Sequence, residues 1–197
     1  MPTEEKIEAL LAASTDGTIT AAQVTAAGLH RSALQTLVKR GELRRFGRGL
    51  YVKSDAWEDD FSLLQRKYAR GVYSHDTALY LLGYSDRAPA HYTMTFPKGY
   101  NAPSLKQESI VVKRAVPANY ALGKIEINSP CGNPIFVYDL ERTLCDILRG
   151  GGSDIQIVGD AMKRYAAARD KNLHKLLQYA EKLRVKPKVL RYMEVLL

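Results

Sequence analysis

The sequence predicts an α+β protein, with an N-terminal winged helix-turn-helix followed by a second domain built from a small, mainly antiparallel sheet and flanking helices. Three features carry this prediction. Helical apolar spacing in the first forty residues is interrupted at Gly28 and Gly41, an Arg- and Gly-rich hairpin follows at once, and beyond residue 60 short β-rich runs give way to amphipathic helices.

The elements follow in order. Thr3 precedes Glu4 and Glu5, with Ile7, Leu10 and Leu11 at helical spacing, so Thr3 is expected to cap a first helix ending near Ser14. Asp16-Gly17 reads as a turn, Thr18-Ile19-Thr20 as a short β-branched segment, and Thr20 as the cap of a second helix that Gly28 breaks. His30 or Arg31 then opens a third helix. Its Leu34, Leu37 and Val38 form one apolar stripe, and Arg31, Ser32, Gln35, Thr36 and Lys39 are left facing away.

That outward set suits DNA. Arg reaches guanine edges and Gln adenine edges in bidentate fashion, Ser and Thr bond to base or phosphate, and Lys neutralises phosphate. Leu43 to Phe46 and Leu50 to Val52 read as two strands around Gly47-Arg48-Gly49, a wing whose Arg44, Arg45 and Arg48 can grip the backbone or enter a narrow minor groove. The competing reading is a helical hairpin beside a solvated β-ribbon, which leaves the composition of the polar face unexplained.

A polar, acidic stretch at residues 54–60 containing Trp57 sets the expected boundary, giving domains 1–55 and 56–197, with a helix through Phe61, Leu64 and Tyr68 opening the second. Tyr73 to Thr77 precedes a short buried helix ended by Gly83; His75 and Asp76 there are read as capping and packing residues because no nucleophile accompanies them. Tyr92 to Phe96, Ile110 to Val112, Lys124 to Asn128 and Ile135 to Tyr138 are the candidate strands. Asp139 is a natural cap for a helix burying Leu140, Leu144, Ile147 and Leu148, on which Arg142 and Asp146, four apart, can pair. Gly150-Gly151-Gly152 is a break without the features of a phosphate loop, and three helices follow, with stripes through Ile155 to Tyr165, Leu173 to Leu183, and Val189, Leu190 and Met193.

At 46% hydrophobic and 25% charged residues the chain has an ordinary globular composition, which argues against disorder and coiled-coil architectures. No apolar run approaches the ~18 residues of a membrane helix, and the start at Met1 to Lys6 is unlike a signal peptide, so a soluble cytoplasmic protein is expected, at the nucleoid if it binds DNA. Two cysteines without a CxxC pair and four scattered histidines lack the spacing of a zinc site or a disulfide framework, and neither metal nor cofactor is expected. The net charge of +8 is localised: Lys163 to Arg191 holds ten basic residues against Asp170 and Glu181, and the 19 basic and 19 acidic residues elsewhere cancel. Lys163, Arg164, Lys171, Lys175, Lys182, Lys186 and Lys188 are therefore expected to form a basic C-terminal surface, either a solvated face or a contact for a polyanion.

Three segments, Gly41 to Tyr51, Tyr73 to Leu79 and Val137 to Asp146, occur in an order that resembles the AbiEi family. Its members are the antitoxins of bacterial abortive-infection, type IV toxin-antitoxin pairs, in which the antitoxin also represses the operon. The resemblance implies binding to inverted repeats in the protein's own promoter, and a second domain that counteracts a nucleotidyltransferase-like toxin in phage defence without requiring a stable complex. It implies no enzyme. Two alternatives remain open: a winged-helix transcription factor whose second domain senses a small ligand, and a nuclease in which Asp139, Glu141 and Asp146 hold magnesium.

Overall fold

The computed structural model describes residues 2–56, 59–150 and 152–196; Trp57 of the acidic stretch and Gly151, the middle residue of the glycine break, lie outside them. Contacts divide the chain into two compact units, one of residues 1–69 with 128–135 and the other of 70–127 with 136–197. The expected division at residue 55 thus falls inside the first unit, which keeps the helix assigned to the second domain and takes in a distant loop.

In the first unit α1 (Thr3–Ala12), β1 (Thr18–Thr20), α2 (Ala21–Ala26) and α3 (Ser32–Lys39) precede the hairpin β2 (Leu43–Gly47) and β3 (Leu50–Lys53), and α4 (Asp60–Lys67) follows. The strands form an antiparallel sheet in the order β1-β3-β2, with Ile19 opposite Tyr51 and Arg44 opposite Val52. Ile7, Leu11, Ile19, Val24, Leu34, Leu37 and Leu43 are buried together beneath it. Thr3 is a helical residue rather than the cap: Pro2 occupies that position and makes no side-chain bond. Proline at the entry offers no hydroxyl, but its fixed φ suits the turn into a helix.

A buried polar network joins three separated segments of this unit. Asp16 accepts hydrogen bonds from Ser14 Oγ (2.6 Å), Thr18 Oγ1 (2.6 Å) and Ser62 Oγ (2.9 Å), and Arg66 Nε lies 2.6 Å from its second oxygen. Asp59 caps α4 through Ser62 N and accepts from Ser129 Oγ (2.5 Å) and Asn133 Nδ2 (2.7 Å); Asn133 in turn accepts from Thr15 Oγ1 (2.7 Å). These bonds explain why α4 and residues 128–135 belong with the first unit.

The second unit carries β4 (Val72–Tyr73), α5 (His75–Leu81), β5 (Tyr92–Pro97), a 3₁₀ turn (Pro103–Gln107), β6 (Ile110–Ala115), α6 (Pro117–Ala121), β7 (Lys124–Asn128), β8 (Pro134–Tyr138) and the helices α7 (Leu140–Arg149), α8 (Ile155–Ala167), α9 (Leu173–Lys182) and α10 (Lys186–Leu196). The architecture is the α+β class expected. Its five strands are ordered β6-β5-β4-β8-β7, with β4 antiparallel to β5 and parallel to β8, and β5 parallel to β6. The connection from β5 to β6 through the 3₁₀ turn is long enough to return the chain in the same direction. Leu144, Ile147, Val158, Met162, Tyr165, Leu176, Ala180, Val189 and Met193 share one helical core. Ile155 and Leu190, placed on its apolar stripes by spacing, are instead exposed (81% and 37%), the first at the start of α8 and the second within α10. Among the described residues no helix is long and apolar enough to cross a membrane.

Burial opposes ionisation of Asp16, but the hydrogen bonds from Ser14, Thr18 and Ser62 and the charge of Arg66 outweigh it, holding its carboxyl below the ordinary value. A carboxyl that titrates lower when folded stabilises the protein fully above the unfolded value near pH 4, and this contribution is lost as pH falls through the folded value. Asp16→Asn should therefore cost about 2 kcal/mol at neutral pH and flatten the acid limb of stability measured by urea melts at stepped pH. Identical acid limbs for the two proteins would remove Asp16 as the source.

Candidate nucleic-acid interface

The interface is assembled from α2, α3 and the β2–β3 hairpin. Thr20 and Gln23 form a reciprocal capping box at the start of α2, with Gln23 N donating to Thr20 Oγ1 (3.1 Å) and Thr20 N to Gln23 Oε1 (2.7 Å). Gly28, at φ +73°, closes the helix in a conformation that a side chain would resist. The turn delivers α3 with Leu34 and Leu37 buried, so its opposite face is free to meet a ligand. Arg31, Ser32, Gln35, Thr36 and Lys39 are all exposed, as are Arg44, Arg45 and Arg48 of the hairpin.

Several of these side chains are held in place. Arg31 Nε donates to Thr25 Oγ1 (2.9 Å), and Thr25 donates to Ala21 O (2.9 Å), so the guanidinium is tethered to α2 through one nitrogen while both Nη groups remain for an acceptor. Thr36 donates back to Ser32 O (3.3 Å). In the hairpin a register shift between Arg45 and Gly47 accompanies donation from Arg45 Nε to Gly47 O (3.2 Å), and the Arg44 guanidinium lies 5.8 Å from the Phe46 ring centre. Ala21 N donates to Gly49 O (2.8 Å), fastening the hairpin tip to the first turn of α2. Arg40, by contrast, is engaged by Glu4 (2.8 Å) and lies 3.9 Å from Glu42.

Sequence reading missed Thr25, whose hydroxyl orients Arg31, and Lys67, whose ammonium sits 5.1 Å from the Phe46 ring and adds a cation beside the wing. Thr25 lies six residues before Arg31 across the Gly28 turn, a relation that helical spacing does not report. Lys67 gave no signal either, because α4 was assigned to the other domain.

The C-terminal basic surface differs from its expectation. Lys175, taken as an outward cation, bridges Asp139 and Glu141 at 3.0 Å each, and hydrogen bonds to these two carboxylates outweigh the effect of burial and hold its ammonium above the ordinary value. Arg164 pairs with Asp86, Lys186 lies 3.6 Å from Glu181, Lys171 donates to Ala168 O (3.1 Å) and Lys188 to Leu148 O (2.8 Å). Lys163 and Lys182 remain as exposed cations. The carboxylates considered for magnesium are engaged as well: Asp139 caps α7 through Arg142 N, Glu141 accepts from Tyr165 (3.3 Å), and Asp146 accepts from Arg142 Nε (3.0 Å). Among the described residues no three His, Cys, Asp or Glu side chains are grouped to hold a metal.

The helix-turn-helix and its hairpin give the N-terminal segment a winged-helix fold. Residues 6–52 match the family described as "Transcriptional regulator, AbiEi antitoxin", so the resemblance read from the sequence holds for that segment and gives it the character of an antitoxin-like regulator. The fold of the whole chain is similar to that in the crystal structure of the RV2827C protein from Mycobacterium tuberculosis, with a TM-score of 0.65 at 18% identity, covering 100% of this chain and 81% of that one. No curated protein matches the chain in sequence.

Asp139 and Glu141 are buried carboxylates sharing one ammonium. Lys175→Ala should therefore lower stability by about 1–3 kcal/mol, toward the lower end because Lys175 retains some solvent, and leave nucleic-acid affinity unchanged. A melting curve matching the parent with weakened DNA binding would reverse this assignment.

Proposed function

We propose that the chain is an autorepressor and antitoxin that binds inverted repeats in its own promoter with α3 in the major groove and the β2–β3 hairpin against the neighbouring backbone or minor groove. The observation that carries this reading is the exposed face of α3. Arg31, Gln35 and Lys39 stand with Ser32 and Thr36 on a helix whose other side is buried, and Arg44, Arg45 and Arg48 extend the same chemistry on a hairpin fastened to α2. On this reading the second unit counteracts a nucleotidyltransferase-like toxin without a stable complex, and the chain is a cytoplasmic, nucleoid-associated regulator rather than an enzyme. The paired state of Asp139, Glu141 and Asp146 supports the last point. The principal alternative, a transcription factor whose second unit senses a ligand, gains support from a cationic cavity in that unit.

The test is a gel-shift titration of the full chain on its upstream DNA and on unrelated DNA at two salt concentrations. The full chain is needed because Asp16 depends on Ser62 and Arg66, which a fragment ending at residue 53 would lack. Binding should prefer the upstream DNA and weaken with salt, at a log–log slope of about −0.9 per neutralised phosphate. Arg31→Ala and Gln35→Ala should each lose about 1–3 kcal/mol of base discrimination, and Arg48→Ala should weaken all DNA alike. Equal affinity for both DNAs, or a flat salt response, overturns the proposal.

A further inference from the structure

The second unit contains a cavity of about 280 Å³ lined by His75, Thr95, Lys113, Arg114, Arg142 and Arg149, with Asp146 as the carboxylate in its wall. Asp146 is already engaged by Arg142, whose side chain is itself buried, stacked 4.1 Å from the Tyr138 ring centre and donating to the carbonyls of Asn119 and Leu122. Among the described residues, Lys113, Arg114 and Arg149 have no carboxylate within ion-pair distance. Asp146 is bonded to Arg142 and acts on Lys113 and Arg149 only at longer range, so the cations outnumber the carboxylate around this concave surface, and an anion bound there relieves their mutual repulsion.

We propose that this cavity is a binding site for the phosphate group of a small phosphomonoester, held by Lys113 and Arg149 with His75 as a neutral donor. The fold builds it from separate pieces. Lys113 stands on β6 in register with Thr95 of β5, Arg149 ends α7, and His75 begins α5 with its backbone in the left-handed region at φ +52°. That conformation is costly for a side chain with a Cβ and persists where surrounding contacts impose it.

Thr95 Oγ1 donates to Ser74 Oγ (2.8 Å), and Ser74 Oγ lies 3.1 Å from His75 Nδ1. Where the Ser74 hydroxyl, accepting from Thr95, donates to Nδ1, the imidazole proton stands on Nε2 and His75 can donate to a bound anion. Burial, followed by the charges of Lys113, Arg142 and Arg149, pushes the His75 pKa down to about 3. The ring is consequently uncharged at neutral pH.

The organic part of the ligand has a place of its own. A second cavity of about 330 Å³ shares His75 and Lys113 with the first, and its wall includes Ala88, Pro89, Val111 and Ile157. Adjoining through these shared residues, the two fall within the size of small-molecule sites, which run from about 300 to 1,000 Å³. A phosphate of nearly two negative charges at neutral pH matches the cationic half, and a ring-sized substituent fits the less polar half. This site stands independently of the DNA-binding proposal.

The experiment is isothermal titration calorimetry of the full chain with inorganic phosphate, adenosine monophosphate and adenosine. The monophosphate should bind saturably and adenosine should not. Lys113→Glu and Arg149→Glu should each weaken binding by at least about tenfold, as expected for loss of a charge-assisted hydrogen bond, whereas Lys113→Arg should retain it. Lys182→Glu, which makes the same change in net charge on an exposed residue outside the cavity, should have no effect. If Lys113→Glu fails to melt cooperatively, Arg149→Glu, at an exposed helix end, carries the test. Tighter binding of the monophosphate than of inorganic phosphate assigns the site to phosphomonoesters; equal binding assigns it to free phosphate and removes the second cavity from the site. No saturable binding of either phosphate compound, equal binding of adenosine and its monophosphate, or full affinity in both charge-reversed variants overturns the proposal.

Discussion

Asp16 is a carboxylate withdrawn from water, and the arrangement of the first unit depends on satisfying it. Ser14 and Thr18 approach one of its oxygens from its own turn, and Ser62 and Arg66 reach the other from α4, 46 residues or more along the chain. A buried charge left with fewer partners would be destabilising, so the geometry that supplies all of them is strongly selected over alternatives in which α4 drifts. Thr18 begins β1, β1 pairs with β3, and β3 leads back to Gly49, whose carbonyl accepts from Ala21. The position of the hairpin beside α2 and α3 is therefore linked through four short steps to one carboxylate. Asp59 extends the same constraint to the loop at 128–135 through Ser129 and Asn133.

The net charge of +8 says less about partners than the distribution of its counter-charges. In the C-terminal helices, where the whole excess resides, Arg164, Lys175 and Lys186 have carboxylate neighbours, and Lys171 and Lys188 are turned onto backbone carbonyls. An exposed ion pair contributes little stability, but it also removes a cation from those that could meet a phosphate. Arg31, Lys39, Arg45 and Arg48 are different, because the structure supports them from behind with hydroxyls and carbonyls, or leaves them in water, and among the described residues brings no acid to them. A positive surface that keeps its charge is the kind that releases counterions on binding a polyanion.

What the sequence made legible was governed by neighbours within a turn or two. The caps at Thr20 and Asp139, the stops at Gly28, Gly41 and Gly83, the buried stripe of α3 and the Arg142–Asp146 pair all rest on spacings of one to four residues. Asp16 read only as a turn residue because the bonds that make it central come from Ser62 and Arg66. The boundary at residue 55 followed a true change in composition, yet composition does not record that Asp59 is bonded to residues 70 and 74 positions away. Lys175 was placed outward because charge is normally outward; the two carboxylates that hold it stand on another helix at a separation that periodicity does not report. The exposed face of α3 was readable because it needed only the helix and its stripe, and Thr25, which orients Arg31, was not, because that bond spans the turn.

Cations that form part of the framework and cations available to a ligand can be separated on these grounds. Arg66 and Arg142 are buried against carboxylates and cannot be withdrawn without leaving a charge uncompensated, so their role is to fix the elements they join. Lys113 and Arg149 line the same cavity as Arg142 and reach its Asp146 only beyond ion-pair distance, so they outnumber the carboxylate there and repel one another. The same distinction separates Arg40, engaged by Glu4, from Arg31 and Lys39 on the exposed face opposite the α3 stripe. Where basic residues are engaged by carboxylates or carbonyls they serve the framework, and only those left without such partners have charge to offer an anion. Binding of an anion is then governed by local geometry rather than by the net charge of the chain.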